Sequence, residues 1–253
     1  MNRTTFFKVP LRRLLEALRN PSLYISVQGP FTYNQDGLTT KHSSDFMYDP
    51  LFIESYRLGK ETGSWGDLDI QWRVYIVCWA ANKAKSLDGD FVECGVYKGG
   101  YARAITHYVN FGGLNKKLYL LDTFCGLSGE YISEEERKHG IMPGGYEECY
   151  EVVKERFKDF NNVEIIRGAV PDTLSCVKAE KVCFLSLDMN CAVPEIAAAE
   201  FFWDKLVSGG VVVLDDYGWK GHDVQKRAFD LFGSRKGVQV LSLPTGQGLI
   251  FKP

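Results

Sequence analysis

Phe91-Val92-Glu93-Cys94-Gly95-Val96-Tyr97-Lys98-Gly99-Gly100 reads as a short apolar strand, a glycine turn and the start of a helix. In a doubly wound sheet, ligands sit at the carboxyl ends of the strands, near the point where strand order reverses. Glycine there lets the backbone approach a ligand closely. The spacing is near that of a dinucleotide loop, but Tyr97 stands where the second glycine would admit a pyrophosphate. A nicotinamide oxidoreductase is therefore disfavoured. The form Glu-x-Gly-x-x-x-Gly-Gly suits a cofactor without phosphates. Glu93 is placed to meet a cationic amino group, and Gly95, Tyr97, Gly99 and Gly100 to form the backbone cradle. A plain strand-to-helix turn with no ligand is the competing reading.

Downstream, apolar runs of strand length alternate with helical stretches. Strands are expected over 91–94, 118–121, 163–166, 182–187, 211–214, 238–243 and 248–251. Helices are expected over 100–109, 146–160, 194–206 and 223–232. Continuous apolar strands separated by helices indicate a parallel sheet covered on both faces. The last two strands are joined only by Pro244-Thr245-Gly246-Gln247. That is too short for a parallel crossover, so they form an antiparallel hairpin. The fold expected is α/β and Rossmann-like: a mostly parallel seven-stranded sheet closed by an antiparallel C-terminal hairpin strand.

Residues 87–253 make up this domain, and 1–86 an N-terminal extension, helical and irregular, with a role in substrate or oligomer contacts. The extension carries turn signals at Gln28-Gly29-Pro30 and Asp36-Gly37. Two helices are expected in it. One is an early amphipathic stretch around Leu11, Leu14, Leu15 and Leu18, with Arg3, Lys8, Arg12 and Arg13 nearby. The other spans 68–85, with Ile70, Val74, Val77, Cys78 and Ala81 at helical spacing.

The second strand ends in Asp122-Thr123-Phe124. An acid at this position is placed to accept hydrogen bonds from ribose hydroxyls; a helix cap is the alternative. Gly168, after the third strand, either walls a base pocket or starts a helix. The fourth strand ends in Asp188-Met189-Asn190 and the fifth in Asp215-Asp216. Parallel strands end at one edge, so Asp188, Asn190, Asp215 and Asp216 are expected to converge. Such an oxygen-rich cluster suits Mg²⁺, which would orient and acidify a substrate hydroxyl. Capping and solvated aspartates are the bland alternative. His139, in a long glycine-rich segment that could close as a lid, and His222, beyond the acidic strand end, are candidate general bases beside Asp188.

Composition narrows the partners. The chain has 253 residues, 45% hydrophobic and 25% charged, with a net charge of −2. That is a globular composition without the basic surplus of a nucleic-acid binder. No run reaches the ~20 apolar residues of a membrane span, and residues 1–21 lack the apolar core of a signal peptide. The seven cysteines are scattered, with no CxxC pair. A reduced, cytoplasmic protein is expected.

Together these motifs resemble the macrocin O-methyltransferase (TylF-like) family of class I methyltransferases, which act on sugar hydroxyls of natural-product glycosides. The resemblance covers about 65–253. It is most specific in 89–100, in Leu121-Asp122-Thr123-Phe124-Cys125-Gly126-Leu127, in Ser208-Gly209-Gly210 through Asp215-Asp216-Tyr217-Gly218, and in Leu243-Pro244-Thr245-Gly246-Gln247-Gly248. It implies S-adenosyl-L-methionine (SAM) as methyl donor, held by Glu93, Gly95 and Asp122. It also implies Mg²⁺ held by Asp215 and Asp216, a small hydroxylated or glycosylated acceptor, and a homo-oligomer. One departure stands out. Where the family reads Asp-x-Asp-x-Tyr, this chain reads Asp188-Met189-Asn190-Cys191-Ala192. Loss of the second acid weakens the case for metal and leaves open a SAM-fold scaffold that has lost its chemistry.

Overall fold

The computed structural model describes residues 30–253. The early amphipathic helix expected around Leu11–18 lies outside them. Seven strands form the central sheet: β3 (Asp90–Cys94), β4 (Leu118–Asp122), β5 (Val163–Arg167), β6 (Val182–Leu187), β7 (Leu206–Leu214), β8 (Leu241–Ser242) and β9 (Gly248–Phe251). Their spatial order is β5-β4-β3-β6-β7-β9-β8. The first five are mutually parallel. β9 runs antiparallel to both β7 and β8. This is the Rossmann-like sheet with a terminal hairpin that the strand pattern predicts. Order reverses between β3 and β6, which places the switch point beside the glycine turn.

Side chains alternate between two cores, as the pleat requires. Phe91, Leu118, Leu120, Val211 and Val213 face one side. There they meet α2 (Gln71–Ala84) through Val74, Val77 and Cys78, and α3 (Gly100–Tyr108) through Ala102 and Ile105. Val92, Leu121, Leu185, Val212 and Leu214 face the other. They pack on α6 (Ala192–Trp203) through Ala198 and Phe202, and on α7 (Asp223–Lys236) through Phe229 and Phe232. Phe184 is fully buried, its ring centroid 4.9 Å from that of Phe91. Phe184→Ala is expected to cost about 3–5 kcal/mol, read as a fall in the urea midpoint at unchanged slope.

Several boundaries differ from the sequence reading. The strand expected over 238–243 shrinks to Leu241–Ser242. α7 ends on Gly237 at φ 70°, and Val238 N–H caps it by donating to Gly233 O. Val238 and Val240 are thus spent on ending the helix and packing beneath it. The helix expected over 146–160 is α5 (Tyr150–Phe157), because Cys149 N–H donates to Phe124 O instead of entering a helix. β7 begins at Leu206, five residues before the expected start. In the N-terminal region, β1 (Tyr33–Gln35) and β2 (Leu38–Thr40) form a hairpin across Asp36-Gly37, at φ 52° and 75°. α1 (Pro50–Lys60) starts with Asp49 accepting from Leu51 N–H and proline at its first position, a strong helix start that the sequence reading passed over. α4 (Glu134–Lys138) is a short turn between β4 and α5.

Candidate functional site

A cleft of about 970 Å³ of atom-free space opens at the carboxyl ends of β3, β4 and β6. Glu93, Gly95, Tyr97, Gly100, Asp122, Thr123, Phe124, Gly168, Asp188 and Asn190 all line it. Gly95 sits at φ +87°, and a β-carbon there would lie 1.8 Å from Asp188 O. The glycine is what allows the β3 and β6 loops to touch. Gly99 is displaced from the cleft. It stands at φ +83° as the α3 cap, against the Phe157 ring, so its role is to shape the turn.

Asp122 ties the floor together. Its Oδ2 accepts from Val96 N–H at 2.6 Å and Tyr97 N–H at 2.7 Å, and its Oδ1 from Phe124 N–H at 2.7 Å. Tyr97, Phe124 and Asn190 hold positive φ without being glycine, and all three line the cleft. Backbone strain therefore concentrates at this site, as it does at ligand clamps. Glu93 is buried, and its Oε2 has no hydrogen-bond partner among the described residues. Burial raises its pKa well above the usual carboxylate range, and the charges of Asp122 and Asp215 add to this. A buried carboxyl oxygen without a partner at a cleft suits a cationic or donor group. This fits the amino-acid end of SAM.

One wall comes mainly from the two regions the sequence reading gave to the substrate, though it did not name Ser64, Tyr101, Tyr131 or Tyr146. Ser64, Trp65 and Tyr101 approach from the N-terminal region and α3, and Tyr131 and Tyr146 from the segment between β4 and α5. Leu127 and Gly144 pair across the neck of that segment. It is the long glycine-rich stretch the sequence singles out. His139 does not reach the cleft; it is exposed at the end of α4.

The acidic strand ends divide into two environments. Asp188 and Asn190 face the cleft. Burial raises the Asp188 pKa well above the usual range, helped by Asp215 and Asp216. Asp215 and Asp216 stand behind it, outside the lining. Asp215 Oδ2 accepts from Arg73 Nη1 at 2.7 Å; its Oδ1 accepts from the Tyr101 hydroxyl at 2.8 Å and Gln247 Nε2 at 3.0 Å. Asp216 is buried, with Oδ2 lacking a hydrogen-bond partner among the described residues and 3.5 Å from His222 Nδ1. Burial pushes its pKa up to about 6, with Asp215 adding and His222 opposing. His222 hydrogen-bonds Gln225, and Gln225 Nε2 donates to Glu195 Oε1 at 2.9 Å. Glu195 also accepts from Met189 N–H at 2.9 Å, and burial raises its pKa to about 8.

This donor set does not fit the expected Mg²⁺ site. Among the described residues, no three His, Cys, Asp or Glu side chains close around a metal position. Both Asp215 oxygens are engaged, one of them by a cation.

Comparison with known proteins agrees with the fold. The NovP O-methyltransferase is 20% identical, with a TM-score of 0.60, over 71% of this chain and 79% of that one. The calicheamicin methyltransferase CalS11 is 12% identical, with a TM-score of 0.55, over 89% and 98%. TomG of Streptomyces achromogenes, involved in tomaymycin synthesis and solved with SAM, is 12% identical, with a TM-score of 0.54, over 81% and 91%. At such identities the likeness is one of fold. No curated protein matches the sequence. Residues 75–240 match the family model described as macrocin-O-methyltransferase (TylF). The fold and this match define a SAM-dependent methyltransferase of the O-methylating kind. More narrowly, the chain belongs to the macrocin O-methyltransferase (TylF) family. Among the described residues no helix is long and apolar enough to cross a membrane.

Proposed function

We propose that this enzyme methylates a hydroxyl of a sugar or glycosylated small molecule, with Asp188 as the proton acceptor. The observation that carries the reading is the cleft floor: a buried Glu93 with its Oε2 unpartnered beside the glycine turn, with Asp188 on the same wall. When bound, SAM supplies a methyl group on a sulfonium centre. Glu93 would hold the amino group, and the turn through Gly95, Tyr97 and Gly100 the amino-acid and sugar portions. Asp122 would meet a ribose hydroxyl through the one acceptor position its three backbone donors leave open. Thr123, Phe124 and Gly168 would flank the base.

The acceptor oxygen forms its new bond to the methyl carbon as the carbon–sulfur bond breaks, and its proton passes to Asp188. Burial raises the Asp188 pKa, which makes its carboxylate a stronger base toward that proton. Trp65, Tyr101, Tyr131 and Tyr146 offer aromatic faces and hydroxyls, which suits a hydroxylated ring. CalS11 is described as a TDP-rhamnose 3'-O-methyltransferase; a sugar hydroxyl is read here by analogy. His222 lies behind Asp216 rather than in the cleft and is placed to set the charge of the acidic cluster.

The test is calorimetric titration of S-adenosylhomocysteine (SAH) into the protein, with Mg²⁺ and again with EDTA. Binding near about a micromolar, the same under both conditions, is expected. Absence of binding in both would remove the cofactor assignment of Glu93, Gly95 and Asp122. A sugar-nucleotide and glycoside screen follows. An Asp188→Asn protein that turns over its acceptor at the wild-type rate would remove the base assignment.

A further inference from the structure

We propose that Arg73 is the resident cation of this site and takes the place of the divalent metal. Arg73 belongs to the first turn of α2, far from Asp215 in sequence. Its Nη1 lies 2.7 Å from Asp215 Oδ2. Its Nε lies 2.7 Å from Asp36 Oδ2 and its Nη2 3.2 Å from Asp36 Oδ1. The guanidinium carbon lies 5.0 Å from the centroid of the Trp219 ring. The side chain is only 12% exposed. Three elements thus hold one planar cation: the β1–β2 turn, the β7 end and the loop after it. Guanidinium is always charged, and its fork matches two carboxylates at once.

A Mg²⁺ ion binds oxygens at about 2.0–2.1 Å. On Asp215 it would stand within a few ångströms of Arg73, and the two cations would repel in a partly dry site. The two compete for the same carboxylate, and Arg73 is the one with anchors. Buried carboxylates need compensation, and Arg73 supplies its one charge to Asp215 and Asp36 together. Asn190, at the end of β6, adds no further charge to be balanced. Arg73 also reaches the cleft wall indirectly, since Asp215 holds the Tyr101 hydroxyl and Tyr101 lines the cleft. It is a positioning residue in the proposed reaction.

The inference rests on the proposed site, but its test reads a separate quantity. Mn²⁺ uptake would be followed by electron paramagnetic resonance on the full chain, alongside thermal melts with and without Mn²⁺. The wild type is expected to take up no stoichiometric Mn²⁺ and to melt at the same temperature with it. Arg73→Ala and Arg73→Gln are expected to bind Mn²⁺ about tenfold or more tightly than the wild type and to melt higher when it is present. If neither variant folds alone, refolding with Mn²⁺ is expected to recover them. Stoichiometric Mn²⁺ in the wild type overturns the proposal. So do variants that bind no more Mn²⁺ than the wild type, or that Mn²⁺ does not recover. SAH calorimetry on the same samples separates the two readings: its failure in the wild type counts against the cofactor site and leaves the Mn²⁺ result to stand alone.

Discussion

Gly95→Ala is expected to unfold the enzyme at markedly lower urea and to abolish SAH binding. Two costs add. The residue sits at φ +87°, a conformation expensive for any side chain. The new β-carbon would also lie 1.8 Å from Asp188 O and 2.4 Å from Asp188 C. These are backbone atoms, so no rotamer change relieves the clash. Nor is the backbone free to move. Gly95 N–H donates to Leu121 O at 2.9 Å, and Asp188 N–H donates to Cys94 O at 2.9 Å. Strain and overpacking together come to roughly 2–6 kcal/mol, set against a typical total of about 5–15 kcal/mol. The separation of the two loops would open the cleft floor between Glu93 and Asp188. Gly145→Ala is the control. It has a similar φ of +86° but open space around it, so only the conformational cost of about 1–2 kcal/mol applies. Equal urea midpoints for the two variants would show that the close approach at Gly95 does not matter.

How much of this was readable in advance follows from the range of each interaction. The sheet is a local matter. Phe91–Cys94 and Val182–Leu187 are apolar on both faces because helices cover both, and a short turn before Gly248 forces the antiparallel return. The cleft lining follows too, since Gly95, Asp122 and Asp188 stand at ends of adjacent parallel strands. What the sequence does not disclose is pairing across distance. Asp215 reads as a metal ligand until Arg73, 142 positions away, is seen against it. Nothing local distinguishes Arg73 from the other basic residues, and its helix reads as a simple packing element. Likewise the sequence reading did not single out Glu195, an acid in the first turn of α6. Only the fold buries it and brings Gln225 and His222 into line with Asp216. Asp49-Pro50 is a different case: the helix start was written locally, and the aromatic, irregular surroundings obscured it.

Glu93→Gln is expected to weaken SAH binding about tenfold to a hundredfold, the worth of a charged hydrogen bond (~1.5–3 kcal/mol). It should do so while making the empty protein more resistant to alkaline pH. Both effects come from one buried carboxyl. In the unfolded chain Glu93 releases its proton near pH ~4.3. In the folded, empty cleft burial first, then Asp122 and Asp215, hold the proton on to higher pH. The folded state therefore binds the extra proton, and its advantage is complete below the unfolded pKa. That advantage is lost as pH rises from there through the raised folded value. Glutamine never ionises, so this loss disappears in the variant. A bound ammonium reverses the preference and draws the carboxyl into its charged form. Binding to the wild type should then release a proton, tighten with rising pH across the same window, and give heats that vary with the ionisation enthalpy of the buffer. The variant should show neither the pH dependence nor the buffer-dependent heat. Equal affinities for variant and wild type, or wild-type heats independent of buffer, would mean that Glu93 does not receive the amino group. Its unpartnered oxygen would then need another occupant.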